Sequence, residues 1–136
     1  MLKIIAAVAC CLPVLAFADS LMVTDAWARA SIPGTENGAA YATFKNAGNE
    51  TVKITHISSD VSRVAEIHRH VMSADVMKME AVESLSLDPN EVIKFQPGGY
   101  HFMLFGLNAP LKAEERFSLT LNFESGSSQE IEILVK

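Results

Sequence analysis

The chain has 136 residues, of which 49% are hydrophobic and 20% are charged, and its 11 Lys and Arg against 16 Asp and Glu give a formal charge of −5. This length is enough for one domain with one core. The acidic balance, without any run of basic residues, argues against nucleic acids and anionic membranes as partners. It suits attraction to cations or to a basic protein.

Residues 1–18 have the pattern of a secretory signal peptide, with an early Lys3, an apolar run and an A-F-A ending. We expect cleavage after Ala18. A membrane anchor is the alternative, but the apolar run of about 15 residues is shorter than the roughly 20 that cross a bilayer. Lipidation at Cys10 would leave an apolar region of only about six residues before the cut, which is shorter than usual.

Cleavage after Ala18 would leave a single domain, residues 19–136, of 118 residues and without cysteine, because Cys10 and Cys11 both precede the cut. Loss of Lys3 changes the formal charge to −6. An oxidising compartment would permit disulfides, but this domain has no thiol to form one. Cysteine nucleophiles and cysteine metal ligands are excluded for the same reason, so histidine and methionine are its only soft metal ligands.

Short segments with alternating polarity and β-branched residues follow one another, separated by Gly, Pro, Asn, Asp and Ser. This pattern predicts an all-β sandwich. Arg63–Val71 can also be read as a short helix, but we prefer a strand. The predicted strands are Leu21–Ala30, Ala39–Asn46, Thr51–Ser58, Ala65–Met72, Val76–Met79, Glu91–Phe95, Tyr100–Phe105, Arg116–Glu124 and Glu130–Val135.

The stretch from His68 to Met103 holds three of the four histidines and four of the six methionines. Alternate residues of a strand point to the same face. Thus His101 and Met103 project together, while Phe102 and Leu104 point into the core. The turn signal at residues 97–99 places His101 at the start of its strand, near the end of the sandwich.

On the preceding predicted strands the same alternation groups further soft ligands. Glu66, His68, His70 and Met72 share one face, with Ile67 and Val71 on the other, and Met77 shares a face with Met79. Imidazole binds several transition metals, whereas thioether favours Cu(I). Structural zinc normally takes Cys with His, and hard cations prefer oxygen, so both fit poorly.

Other roles for these residues remain open at this point. Methionine in a strand usually fills a core, which is our interpretation of Met22 and Met77. We interpret His56 as a surface or hydrogen-bonded residue. His70 and Met72 share a face with His68 but could simply face solvent. From spacing alone, metal binding and an ordinary core or surface role for these residues are equal alternatives.

The spacing His68-x10-Met79-x21-His101-x-Met103 resembles the H-x10-M-x21-H-x-M signature of the periplasmic PCu(A)C copper chaperones. Flanking residues across the whole exported chain are also similar to that family. They are Asp25–Ala30, Asn37–Tyr41 with Asn46, Glu66–His68, Val76–Met79, Pro97–Met103 and Gly106–Leu107.

The resemblance implies a cupredoxin-like Greek-key β-sandwich with one Cu(I) near the surface, ligated by His68, Met79, His101 and Met103. It implies a monomeric, periplasmic carrier, not an enzyme, that passes copper to a copper-accepting protein such as a cytochrome oxidase subunit or its assembly factor. Two features depart from the family. His70 replaces a common methionine and could help accept Cu(II) or assist handover. The chain ends at Lys136 without a His- and Met-rich tail, so we expect one site.

Three other functions compete with the copper carrier as interpretations of the sequence. An electron-transfer cupredoxin needs a cysteine ligand, which the exported chain lacks. An enzyme is disfavoured, since no nucleophile is paired with a base and Glu66 or Asp75 near His68 is too ordinary an arrangement. An exported β-sandwich that binds a protein or small ligand, with an incidental His and Met cluster, is the main alternative. Its binding would survive replacement of His101 or Met103.

Overall fold

Ten β-strands form the fold in the computed structural model, which describes residues 20–136. The predicted cut after Ala18 lies outside these residues. The strands are β1 (Met22–Ala28), β2 (Asn37–Lys45), β3 (Val52–Ser59), β4 (Ser62–Ser73), β5 (Val76–Val82), β6 (Leu85–Leu87), β7 (Val92–Lys94), β8 (His101–Leu107), β9 (Arg116–Phe123) and β10 (Ser128–Val135).

The all-β prediction is confirmed, and each predicted segment corresponds to a strand. The stretch Arg63–Val71 lies in β4, so the strand interpretation was right and the helical alternative is wrong. The short β6 was not predicted. The described part of the chain contains no helix long and apolar enough to cross a membrane.

The strands form one sheet in the order β5-β4-β8-β2-β1-β10-β9-β3-β6, with β7 paired to β2. The sheet curls back on itself, because β3 also pairs with β4 through Ile57 and Ala65. The β1–β10 pair is parallel and the other pairs are antiparallel. One face of the curled sheet encloses the core, and the other face is available for a site.

Three phenylalanines pack beneath the strands that carry the predicted ligands. Phe102 lies 4.6 Å from Phe95 and 5.8 Å from Phe44, measured between ring centroids, and all three side chains are fully buried. Phe102 and Leu104 therefore point into the core, as the alternation along β8 predicted. Met103, which lies between them on β8, consequently projects from the opposite face of the sheet.

A tight hairpin joins β4 to β5 at Ala74 and Asp75, whose φ angles are +50° and +63°. Two consecutive positive φ values are the signature of a two-residue type I′ turn, which matches the twist of the flanking strands. The break between the predicted strands Ala65–Met72 and Val76–Met79 is therefore a turn. Strand β8 begins at His101, directly after the Pro97–Gly98 turn, as the sequence also predicted.

The prediction that Met22 and Met77 fill the core is wrong, since both side chains are exposed. Met22 opens β1, ahead of a β-bulge between Thr24 and Trp27. Met77 lies on β5, at one end of the sheet order, where almost every residue is exposed. Both residues occupy strand positions, but their side chains face solvent there.

Candidate metal centre

The register of β4 with β8 brings the first pair of predicted ligands together. His68 lies directly opposite His101, and Glu66 lies directly opposite Met103. Directly opposed residues of an antiparallel pair project from the same face of the sheet. These four side chains therefore lie on the face that does not carry Phe102.

The register of β4 with β5 adds the fourth predicted ligand. His70 lies directly opposite Met79, two residues along β4 from His68. Because His70 and His68 share a face, Met79 lies on the same face as His68 and His101. The sheet thus brings all four predicted ligands, from β4, β5 and β8, onto one face. With ten residues between them, His68 and Met79 are diagonal neighbours across the β4–β5 hairpin, since His68 pairs with Ala81 and Met79 with His70.

His68 is held by a carboxylate on its own strand. Its Nε2 lies 2.7 Å from Oε2 of Glu66, while its Nδ1 is buried and has no hydrogen-bond partner among the described residues. The residue is only 9% exposed. Since a carboxylate accepts the bond, Nε2–H is the donor and the Nδ1 lone pair is left free. An unpaired buried nitrogen of this kind is a suitable metal ligand.

His101 forms its hydrogen bond through the other ring nitrogen, Nδ1. Its Nδ1 lies 3.3 Å from the carbonyl oxygen of Gly99, so Nδ1–H donates and the Nε2 lone pair stays free. Burial lowers the pKa of His101 from its ordinary value of 6.5; the Gly99 contact opposes this, and the nearby His70 and His68 lower it further. The lowered pKa favours the neutral imidazole, which is the form that binds metal.

Although His101 opens β8, the residue is buried and only 4% exposed. It is enclosed on the site face itself, with the ring of His70 5.3 Å away and that of His68 5.8 Å away. Phe105 covers His68 from the far side at 5.7 Å. Neighbouring aromatic and imidazole rings therefore shield this face, which alternation along a single strand cannot reveal.

The two methionines differ in access to solvent. Met103 is partly buried and lines a shallow surface cavity of about 240 Å³ together with Arg29, Tyr41 and Ile32. Met79 is 48% exposed on β5, at one end of the sheet order. The candidate centre is thus closed around the two histidines and open on the Met79 side.

Two polar contacts at the centre were not anticipated from the sequence. Glu66 is more than a sequence neighbour of His68, because its carboxylate contacts that ring directly. The spacing Glu66-x-His68 on a strand, which places both on one face, was the available signal. The Gly99 carbonyl left no such signal, because backbone acceptors do not depend on residue type.

The donor set suits a soft, monovalent ion. Within residues 20–136, no group of three or more His, Cys, Asp or Glu side chains is arranged to hold a metal ion. Methionine sulfur lies on the same face as the two histidines, and thioether favours Cu(I). The two free imidazole lone pairs and the two thioethers on the same face fit such an ion.

Comparison with known proteins places the chain in a family. The family model named LpqE-like, described as "Putative lipoprotein LpqE-like", matches residues 21–135. The chain belongs to the LpqE-like family. A relative in Leifsonia xyli subsp. xyli (strain CTCB07), "Putative lipoprotein Lxx21020", is 33% identical over 121 residues, which are 88% of this chain and 71% of that protein.

Solved structures similar to this LpqE-like chain are PCuAC domains. The apo PCuAC domain from PmoF1 has a TM-score of 0.71 at 23% identity and covers 88% of this chain and 97% of its own. The copper-bound PCuAC domain from PmoF2 has a TM-score of 0.72 at 20% identity, with 88% and 96% covered.

A third structure, Cu(I)-bound DR1885 from Deinococcus radiodurans, has a TM-score of 0.63 at 28% identity and covers 82% of this chain and 74% of its own. The family and these folds together confirm the resemblance drawn from the sequence. They also confirm that the LpqE-like chain is a cupredoxin-like β-sandwich.

Proposed function

We propose that this LpqE-like protein is an exported copper chaperone that binds one Cu(I) through His68, Met79, His101 and Met103. The observation that carries the proposal is the opposed pair of His68 and His101, each with one nitrogen occupied and the other free, on the same face as two methionines. The Cu(I)-bound state of DR1885, at 28% identity, supports the choice of metal.

The chemistry of the four ligands favours reversible binding. Two neutral imidazoles and two thioethers leave the charge of Cu(I) unneutralised, so they hold the ion without the strong attraction that a thiolate supplies. They also tolerate an oxidising compartment, in which thiols would form disulfides. A Cu(II) ion, which prefers nitrogen and oxygen, would depend on the imidazoles.

The unequal exposure of the ligands suggests a direction for release. His68 and His101 are buried, whereas Met79 is half exposed at the open side. An incoming ligand of a partner protein can displace the Met79 sulfur first and form a mixed complex. Transfer then proceeds by stepwise ligand exchange to stronger ligands, and the copper keeps its charge throughout.

Export and destination complete the proposal. The signal-like residues 1–18, and the lipoprotein names of the family and of the Leifsonia relative, support a protein outside the cytoplasm, which we assign to the periplasm. The formal charge of −6 after the cut suits a basic surface on the acceptor. We assign the acceptor role to a copper protein such as the copper centre of cytochrome c oxidase, and no catalysis to the carrier.

A Cu(I) titration against a competing chromophoric chelator tests the proposal. The purified protein is compared with Met79→Leu and with a matched control, Met22→Leu, which replaces an exposed methionine on a distant strand. We expect one tightly bound equivalent in the wild type and in the control, and a weakened one in Met79→Leu. Absence of competition by the wild type would reject copper carriage and favour an exported β-sandwich that binds another protein or a small ligand.

A further inference from the structure

The β4–β5 hairpin extends past the body of the sheet. Pairing of β4 with β8 ends at His68 and His101, whereas pairing of β4 with β5 continues to Ser73 and Val76. Residues 69–80 therefore form a two-stranded arm beyond the start of β8. Among the described residues this arm pairs with no other strand.

One face of the arm carries soft metal ligands beyond the four discussed above. Met72 lies directly opposite Met77, and the next pair on the same face is His70 with Met79. Met72 is 63% exposed and Met77 is 58% exposed. Opposed side chains start from Cβ atoms about 5 Å apart, so two flexible thioethers can converge on one ion.

The other face of the arm is charged. Arg69 forms an ion pair with Glu80 at 3.5 Å, and Lys78 lies opposite Val71 on that face. The methionines are thus segregated from the charges and are not scattered through a solvated hairpin. A buried methionine gains stability from leaving water. Met72 and Met77 forgo most of this gain, so core packing does not account for them.

We propose that Met72 and Met77, with His70 as third donor, form a second and weaker Cu(I) site on this arm. The proposal rests on the proposed function, since it extends the path of the same cargo. Thioether pairs select Cu(I) over harder ions. The second site lies one residue pair from Met79, about 7 Å along the strands.

The position of the second site gives it a role in loading and release. Met79 and His70 stand between Met72 and His101 on one continuous face, and the His70 ring is 5.3 Å from that of His101. Copper can therefore move along the arm by exchange of one neutral ligand for the next. The ion remains Cu(I), no electron is transferred and no proton is released when a thioether replaces a thioether.

The test is the stoichiometry of Cu(I) binding in the purified copper-free protein, measured with chelators of graded affinity. The double variant Met72→Leu/Met77→Leu keeps side-chain size and removes both sulfurs. The wild type is expected to bind a second, weaker equivalent that the double variant lacks, while both retain the first. Met22→Leu, the matched control, is expected to bind both equivalents.

Methionine methyl NMR locates the second equivalent independently. After one equivalent, signals of Met79 and Met103 are expected to shift, and those of Met72 and Met77 only on further addition. A wild type that stops at one equivalent, or a double variant that retains two, would overturn the second site and leave the first intact. Loss of the first equivalent in the double variant would also overturn it, because the two methionines would then belong to a single site.

Discussion

His68 and His101 face each other across β4 and β8 with their ring centroids 5.8 Å apart, and each donates one ring N–H to a different acceptor. The Glu66 carboxylate fixes the first ring and the Gly99 carbonyl fixes the second. Each ring thereby presents its remaining lone pair on a shared face. Such outer hydrogen bonds set the tautomer and orientation of histidine ligands before the metal arrives.

Glu66→Leu is expected to lower the Cu(I) affinity about 10- to 100-fold, which is the usual effect of losing the hydrogen-bond partner of a histidine ligand. The change leaves all four proposed ligands in place but frees the His68 ring. Glu66→Gln retains an oxygen acceptor and is expected to lose less. Chelator competition measures both variants. An equal loss of Cu(I) affinity in the two variants would show that the charge of Glu66 matters and not its hydrogen bond to the His68 ring.

The stability of the copper-free protein is expected to fall as the pH drops below 6.5. Burial lowers the pKa of His101 in the folded state, so below 6.5 the unfolded chain takes up a proton that the folded protein resists. The contribution of His101 is complete above 6.5 and is lost as the pH falls through its folded-state pKa.

Urea denaturation of the wild type and of His101→Gln, over a pH series from above 6.5 to about two units below it, isolates this effect. Carboxylates contribute equally to both proteins, so the difference between their free energies of unfolding reports the histidine. The difference is expected to shrink towards acid. Parallel profiles for the two proteins would contradict a lowered pKa.

Much of the fold could be predicted because its signals are local. Alternation assigned Phe102 and Leu104 to the core, and turn-forming residues located the turns that follow β4 and precede β8. The errors at Met22 and Met77 concern whether other residues cover that part of the strand. That depends on sheet order, which a single sequence does not display, so an alternating methionine looks the same at an exposed edge and in a core.

The residue types of the candidate site and the strand faces that carry them could be predicted, but the burial and hydrogen bonds of these residues could not. Spacing placed His101 and Met103 on one face, and the resemblance supplied His68 and Met79. The burial of His101 depends on the rings of His70 and His68, which reach it from another strand. The spacing Glu66-x-His68 placed both residues on one face, but their direct contact needed side-chain geometry.

Phe102→Ala is expected to destabilise the protein by about 3–5 kcal/mol, the usual cost of removing a buried phenylalanine. Phe102 lies between His101 and Met103 on β8 and packs against Phe44 and Phe95 beneath the site face. Phe102→Leu fills more of the space and is expected to cost less. Urea denaturation measures both. Equal stability of Phe102→Ala and the wild type would contradict the assigned core.

Ala74→Asn with Asp75→Gly is expected to stabilise the protein, because both positions have positive φ and Asn-Gly is the preferred pair in a type I′ turn. Relief of left-handed backbone at Ala74 is worth about 1 kcal/mol, or roughly 4 °C in the melting temperature of a domain of this size. Thermal denaturation of the copper-free protein measures the change. Ala74→Val serves as the control and is expected to destabilise, since a β-branched residue tolerates positive φ poorly. If both variants melted at the wild-type temperature, the arm would be unfolding independently of the sandwich, and its turn would contribute nothing to the global transition.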